Sequence, residues 1–258
     1  MRLKGKAAII TGASAGIGWA TALKFAQEGA SVIAIARRQD RLEQLVTAAE
    51  TCAGEIIPFV GDIALRATNE SMIDFAVGKF GKVDILVNHA DTMDDFFPVG
   101  EVTDEEWNRV MAVNLYGPMT AIRRAVQVMQ AQPEGGTIVN VASIAGMHSG
   151  HSGAAYAASK AGFIHLSTHT ALVYADKNIR CNCVNPGGIA AEISITEPDQ
   201  LGEAKDKLGY ALTPQLGNAE EVAAVVAFLA SDEAGFVNGA VLTVDGGWTA
   251  YERNWGNL

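Results

Sequence analysis

Three glycines crowd the stretch Thr11-Gly12-Ala13-Ser14-Ala15-Gly16-Ile17-Gly18, directly after a run of β-branched and alanine residues over 6–11. Directly after it comes a pattern that reads as an amphipathic helix over about 16–28. A buried strand that turns sharply into a helix begins a parallel strand–helix–strand unit. Gly12 permits the tight turn, Gly16 lets the backbone approach a pyrophosphate, and Gly18 lets the helix pack close to the strand. The N–H groups at that helix start, including those near Ser14 and Ile17, then face an anion. The spacing is GxxxGxG rather than GxGxxG, so the strand–turn–helix context carries the nucleotide reading against a purely structural turn.

The same alternation continues. Apolar runs at 31–36, 56–60, 83–88, 136–143, 179–185 and 241–244 read as strands. Helical patterns cover 39–51, 67–80, a stretch after Thr103, 154–175 and 220–230. Thr103 with Glu106 has the spacing of a capping box, and Asn218 is placed to cap the last helix. Strands separated by helices predict an α/β fold, a doubly wound parallel sheet of Rossmann type with helices on both faces. No Pro/Ser linker, repeat or low-complexity segment divides the 258 residues, so a single domain over 1–258 is expected. The alternation breaks at about 188–217, a polar stretch with Pro198, Pro214 and a weak helical pattern near 199–210; a long connection after a strand end is where a substrate lid is expected.

Hydrophobic residues make up 49% of the chain, enough to cover both faces of a sheet. The formal charge of −10 disfavours wrapping a nucleic-acid backbone. No stretch is long and apolar enough to span a membrane, and the first apolar run is too short for a signal segment, so a cytoplasmic protein is expected. Cys52, Cys181 and Cys183 form no CxxC pattern; Cys181 and Cys183 share one face of a strand and are expected to be buried thiols.

The end of the second strand selects the nucleotide. An acid there would accept from a ribose 2′-hydroxyl. The sequence has Arg37 and Arg38 instead, with Asp40 only in the next helix, so NADP(H) is expected over NAD(H). After the third strand, Asp62 and Ile63 stand where a carboxylate accepts from an adenine amino group; an ordinary helix cap is the competing role for Asp62.

Tyr156 and Lys160 are four residues apart on a helical pattern and share one face. A nearby ammonium is expected to favour the phenolate and lower a phenol pKa of about 10. Tyr156 then exchanges a proton with an alcohol or carbonyl oxygen, and Ser143, at a strand end, polarises that oxygen.

Taken together, Thr11–Gly18, Asp62, Asn88-His89-Ala90, Asn114, Ser143, Tyr156-Ala157-Ala158-Ser159-Lys160, Asn185-Pro186-Gly187 and Val244-Asp245-Gly246-Gly247 resemble the short-chain dehydrogenase/reductase family, from about Lys6 to Trp248. The resemblance implies a sheet of about seven parallel strands, a homotetramer, and hydride transfer between a nicotinamide and a ketone or secondary alcohol. It implies catalytic roles for Asn114, Ser143, Tyr156 and Lys160. Asn114 would hold a helix open around a relay water, and Lys160 would grip the nicotinamide ribose. It places Asn88, Ala90, Pro186, Gly187 and Ile189 against the cofactor. Three residues depart from the family pattern. Asp91 replaces a glycine, with an outward or mildly costly placement expected and a polar substrate contact as the alternative. Ala191 replaces a threonine, and Ala15 stands where many NADP-preferring members carry a base.

Met147, His148, His151 and Gly188 are candidate substrate contacts. His165 and His169, four apart on the Tyr156 helix, suit a core or subunit interface better than zinc, and no metal is expected. Tyr116 and Met119 read as packing residues, and the aromatic tail from Trp248 as an anchor on a partner subunit or lid. The function expected is that of an NADP(H)-dependent carbonyl reductase or alcohol dehydrogenase. A 3-oxoacyl-thioester reductase, a sugar or hydroxysteroid dehydrogenase, and a non-catalytic nucleotide sensor are the alternatives.

Overall fold

The computed structural model describes residues 1–190 and 216–250. Seven strands form one parallel sheet: β1 (Ala7–Thr11), β2 (Ser31–Ala36), β3 (Glu55–Val60), β4 (Ile85–Asn88), β5 (Gly136–Val141), β6 (Ile179–Pro186) and β7 (Val241–Val244). Their order is β3-β2-β1-β4-β5-β6-β7. The chain therefore reverses its direction of winding between β1 and β4, and a crevice opens outside their carboxyl ends.

The central strands are mostly apolar because both faces are covered. Ile9 and Ile10 are successive residues of β1 and enter opposite layers. Ile10, with Val32 and Val184, packs under α1 (Gly16–Gln27) and α7 (Ala219–Ala230). Ile9, with Ile33, Leu86 and Ile138, packs under α3 (Arg66–Phe80), α5 (Gly117–Met129) and α6 (Ala154–Val173). α2 (Gln39–Ala48) follows β2, and α4 (Asp104–Met111) precedes α5. Pro58 lies on β3, which pairs only with β2, so the missing N–H faces an open edge.

The Asn218 capping box forms in both directions. The Thr103 box forms by half: Thr103 Oγ1 accepts from the Glu106 N–H, but the Glu106 carboxylate turns to Arg109 and the Asp95 N–H. Strand β4 starts later than the apolar run 83–88 suggests, because Val83 is held by the Gln132 side chain. Cys181 and Cys183 are buried in one layer, as expected, and burial raises both thiols, Cys183 to about 12.

Most of the expected lid falls on 191–215, outside the described residues, as do Ala191 and the tail beyond Ala250. The two ends of that stretch meet: the Ala190 N–H donates to the Gly217 carbonyl at 2.9 Å, and the Gly217 N–H to the Gly188 carbonyl at 3.0 Å. His165 and His169 are exposed on α6, so of the two roles expected for them, core or subunit interface, the core one does not hold. Tyr116 is exposed too, rather than packed.

A polar chain crosses the buried sheet beneath the crevice. Asn88 donates its amide to Asn140 Oδ1 at 2.9 Å, and Asn140 donates to Ser167 Oγ at 2.8 Å. Asn140→Ala strips Asn88 of its acceptor and Ser167 of a donor. Urea unfolding should show a loss of about 1–3 kcal/mol, the usual cost of orphaning buried polar groups.

Candidate active site

The glycine turn leaves β1 at the crevice. A Cβ on Gly18 would strike the Gly12 carbonyl, and one on Gly12 would lie 2.7 Å from His89 Nδ1 and 2.8 Å from the Ala90 Cα. Gly12 and Gly16 also have φ of +74° and +53°. Thr11 Oγ1 ties this turn to the end of β4 by accepting from the His89 and Ala90 N–H groups at 3.0 and 3.1 Å. Helix α1 starts at Gly16 with Ala15 before it, no side-chain cap and no acid in its first turn. Its first N–H groups are thus left to an anionic ligand. The His89 Nδ1 is buried against the two glycines. These features fit a dinucleotide.

Two guanidinium groups close the outer side of the turn. Arg38 donates to Ser14 Oγ at 3.2 Å, and Arg41 donates to the Ser14 carbonyl at 3.2 Å while lying over the Trp19 ring. Arg37 is exposed beside them. The sequence reading missed Arg41; its place one helical turn beyond Arg37 was the available signal. Asp62 Oδ1 accepts from the Ala64 N–H at 2.9 Å within a local turn; it is not the helix cap, since Leu65 holds that position before α3. Ile63, buried beside it, packs against Gly117.

Three elements carry the four residues expected to handle the proton. Ser143 follows β5 and starts the short turn Ile144–Gly146. Asn114 sits in a π-helical turn, Ala112–Tyr116, between α4 and α5. It clamps Thr92 from both sides, accepting from the N–H at 2.8 Å and donating to the carbonyl at 2.9 Å, and it donates to Ser159 Oγ at 3.2 Å. Tyr156 and Lys160 are buried on α6, with the Lys160 Nζ 5.1 Å from the centre of the Tyr156 ring.

The start of α6 is capped from another segment. Asp94, which the sequence reading overlooked, is 5% exposed. Its carboxylate accepts from the Gly153 N–H at 3.0 Å and the Tyr156 N–H at 2.8 Å. An acid at a helix N-terminus satisfies free donors and meets the positive end of the dipole. It also fixes where Tyr156 stands.

Asp91 turns inward, contrary to the outward placement expected. Its φ is not positive, so a glycine-like backbone is not needed there. Its Oδ2 accepts from the Tyr156 hydroxyl at 2.9 Å and lies 2.9 Å from the Lys160 Nζ. Burial is the largest effect and would raise the Asp91 carboxyl; the Lys160 charge, His89 and the hydrogen bonds from Lys160 and Tyr156 together outweigh it and hold the group below its usual range. The phenol moves opposite to the expectation. Burial first, then the Asp91 charge and hydrogen bond, push Tyr156 well above its ordinary value of 10, while a hydrogen bond with Ser143 pulls the other way.

The expected substrate contacts gather at the mouth. Asn185 donates its amide to the Met147 sulfur, and His151 meets the Trp248 ring edge-on at 5.6 Å between centroids. A Cβ on Gly188 would strike Leu216 and Trp248. Trp248 therefore packs within this chain. Asp245 anchors that turn: burial would raise its carboxyl, but hydrogen bonds from Thr249 and Gly247 lower it. Pro186 ends β6, Gly187 packs on Asp245, and Ile189 is buried next to the neck of the excursion. His148 is exposed beside a cleft of about 310 Å³ that Phe96, Phe97 and Pro98 also line. Among the described residues, no group of three or more His, Cys, Asp or Glu is placed to hold a metal ion.

Residues 12–249 match the family model described as enoyl-(acyl carrier protein) reductase. The chain belongs to the short-chain dehydrogenase/reductase family. It is 41% identical over 251 residues, 96% of each chain, to 3beta-hydroxysteroid dehydrogenase 2 of Eggerthella lenta. It is 40% identical to the 3-oxoacyl-[acyl-carrier-protein] reductase FabG of Thermotoga maritima, over 96% of this chain and 99% of the relative. The crystal structure of levodione reductase superposes with a TM-score of 0.90 at 30% identity, covering 97% of this chain and 100% of that one. This short-chain oxidoreductase uses a nicotinamide cofactor.

Gly18→Val places a branched side chain against the Gly12 backbone and His89. Titration by cofactor fluorescence should show binding weakened at least about tenfold, since the turn must open by the width of a methyl group.

Proposed function

We propose that this chain is an NADP(H)-dependent carbonyl reductase or alcohol dehydrogenase acting on a ketone or secondary alcohol. The observation that carries this reading is the meeting of Tyr156, Lys160 and Ser143 at the crevice beside the glycine turn. Bound nicotinamide supplies the hydride donor or acceptor. Ser143 and the Tyr156 hydroxyl hold the substrate oxygen. As the carbonyl carbon is reduced, the phenolic proton passes to that oxygen; in the reverse direction the phenolate takes the proton back. Lys160 supplies positive charge under the ring. Asn114 fixes the segment from which Asp91 and Asp94 project.

The choice of NADP(H) is supported by Arg38, just after the second strand, and Arg41, in the first turn of α2, which both donate to Ser14 of the glycine turn, with Arg37 alongside. Arg41 supplies the third cation that Ala15 does not. A homotetramer fits the large apolar side chains left in solvent, among them Leu172 and Val173 of α6 and Phe236 after α7.

A second reading is favoured by the cleft rim. Phe96 and Phe97 are large, apolar and exposed on its lining, and Met147, next in sequence to the lining residue His148, is exposed as well. Such a rim suits an apolar ring system, as in a hydroxysteroid, the substrate named for the Eggerthella relative. Asp95, Glu101, Asp104 and Glu105 lie exposed on the same side and are unfavourable for an acidic carrier protein.

The test is a panel of cyclic ketones, 3-oxosteroids, sugars and 3-oxoacyl thioesters with NADPH and with NADH. Turnover with NADPH should fall by about 10²–10⁴ in Tyr156→Phe, the range for loss of a general acid. Arg38→Ala combined with Arg41→Ala should raise the KM for NADPH by at least about tenfold and leave that for NADH unchanged, because each charge-assisted contact contributes about 1.5–3 kcal/mol. Equal losses with both cofactors would reject the arginine assignment.

A further inference from the structure

The contact of Asp91 with the acid/base pair has no counterpart where the family carries a glycine, since a glycine has no side chain to make it. One carboxylate oxygen serves both donors: the Tyr156 hydroxyl at 2.9 Å and the Lys160 Nζ at 2.9 Å. We infer that Asp91 is a third member of this centre, a positioning carboxylate that holds the phenolic hydrogen of Tyr156, engages the Lys160 ammonium, and so sets the pair as a proton donor. The inference rests on the proposed role of Tyr156 as acid/base.

The geometry gives the sign. Lys160 lies under the phenol ring, where its positive charge favours the phenolate. Asp91 takes up that charge through the ion pair and adds its own negative charge next to the phenolic oxygen. A phenol that donates to a carboxylate loses that hydrogen bond when it ionises, and two anions are then left side by side. Both effects hold the proton on Tyr156. The Asp91 side chain is 28% exposed and that of Lys160 only 2%, so the carboxylate stands on the open side of the buried ammonium.

Other groups around the phenol do not supply this. Asp94 also raises it, but its carboxylate is engaged by the Gly153 and Tyr156 N–H groups. Burial holds the His89 imidazole down, toward the neutral form. Burial holds the Cys183 thiol up at about 12, so it carries no charge near neutrality. Ser143 donates in the opposite sense, and Asn114 is occupied with Thr92. Asp91 is thus the anion in direct contact with the phenolic oxygen.

For turnover, the consequence is directional. Carbonyl reduction needs the phenol protonated, which Asp91 ensures across the neutral range. Alcohol oxidation needs the phenolate, so its rate should rise only at alkaline pH. When a substrate oxygen accepts from the phenol, Asp91 gives up that hydrogen bond while its charge remains beside the site.

The test uses the full-length, dinucleotide-free protein. Phenolate absorbance is titrated in wild type and in Asp91→Asn, each with a Tyr156→Phe partner subtracted to isolate the Tyr156 step. Asn keeps the size and an acceptor but removes the charge. The Tyr156 step should move to lower pH by about one unit or more. Asp91→Gly, the residue type of the family, serves if Asp91→Asn does not fold. In loaded enzyme, the rising limb of the oxidation profile should move the same way. A step that stays at the wild-type pH, moves upward, or stays out of reach in wild type and variants alike overturns the inference. Failure of every substrate in the wild type would defeat the proposed function while the titration still judges Asp91.

Discussion

The clamp between the segment after β4 and the start of α6 is the contact on which the site depends. Asp94 gives its carboxylate to the Gly153 and Tyr156 N–H groups, and the Ala154 N–H donates to the Phe97 carbonyl. Asn114 holds the same segment at Thr92. Helix α6 would otherwise begin with free donors beside the crevice. Capped by a distant acid, it begins at one place, and that place fixes Tyr156, Lys160 and their distance from the glycine turn. Thr11, receiving two N–H groups from His89 and Ala90, ties the same segment to the turn. One stretch of chain between β4 and α4 therefore sets both halves of the site in register.

The electrostatics of the centre follow from that placement. A buried phenol and a buried lysine are each costly to charge alone. The ion pair with Asp91 satisfies the ammonium and leaves the phenol as a neutral donor. At the far end of the crevice the balance is reversed: Arg38 and Arg41 converge on Ser14, and no acid stands in the first turn of α1. Negative charge thus lies beside the phenol and positive charge beside the glycine turn, in a chain whose formal charge is −10.

Much of the fold was legible because local chemistry and global position agreed. The apolar runs of β1 and β2 can be satisfied only with both faces covered, and the glycines at 12 and 18 stand where backbone meets backbone. Asn218 and Glu221 cap α7 with partners three residues apart, within reach of pattern alone. Thr103 and Glu106 have the same spacing, yet Glu106 turned to Arg109 and Asp95, a choice made by contacts outside the helix. Asp94, Arg41 and Asn140 escaped the sequence reading because each acts on a group distant along the chain. The sign at Tyr156 was misjudged for the same reason: Lys160 is four residues away and visible, whereas Asp91 is sixty-five residues away and reaches the phenol only through the fold.

The amino-acid order by itself determined the alternating strands and helices, the glycine turn after β1, the pairing of Tyr156 with Lys160 on one helical face, and membership of the family. Those properties depend on periodicity and spacing along a few turns of chain. Only the tertiary structure decided which way Asp91 points, which acid caps α6, and whether the phenol is driven toward its charged or its neutral form. Burial and charge act through space, over a few ångströms and without regard to separation along the chain, so these outcomes exist only once the sheet has brought β4, β5 and α6 to one edge of the crevice.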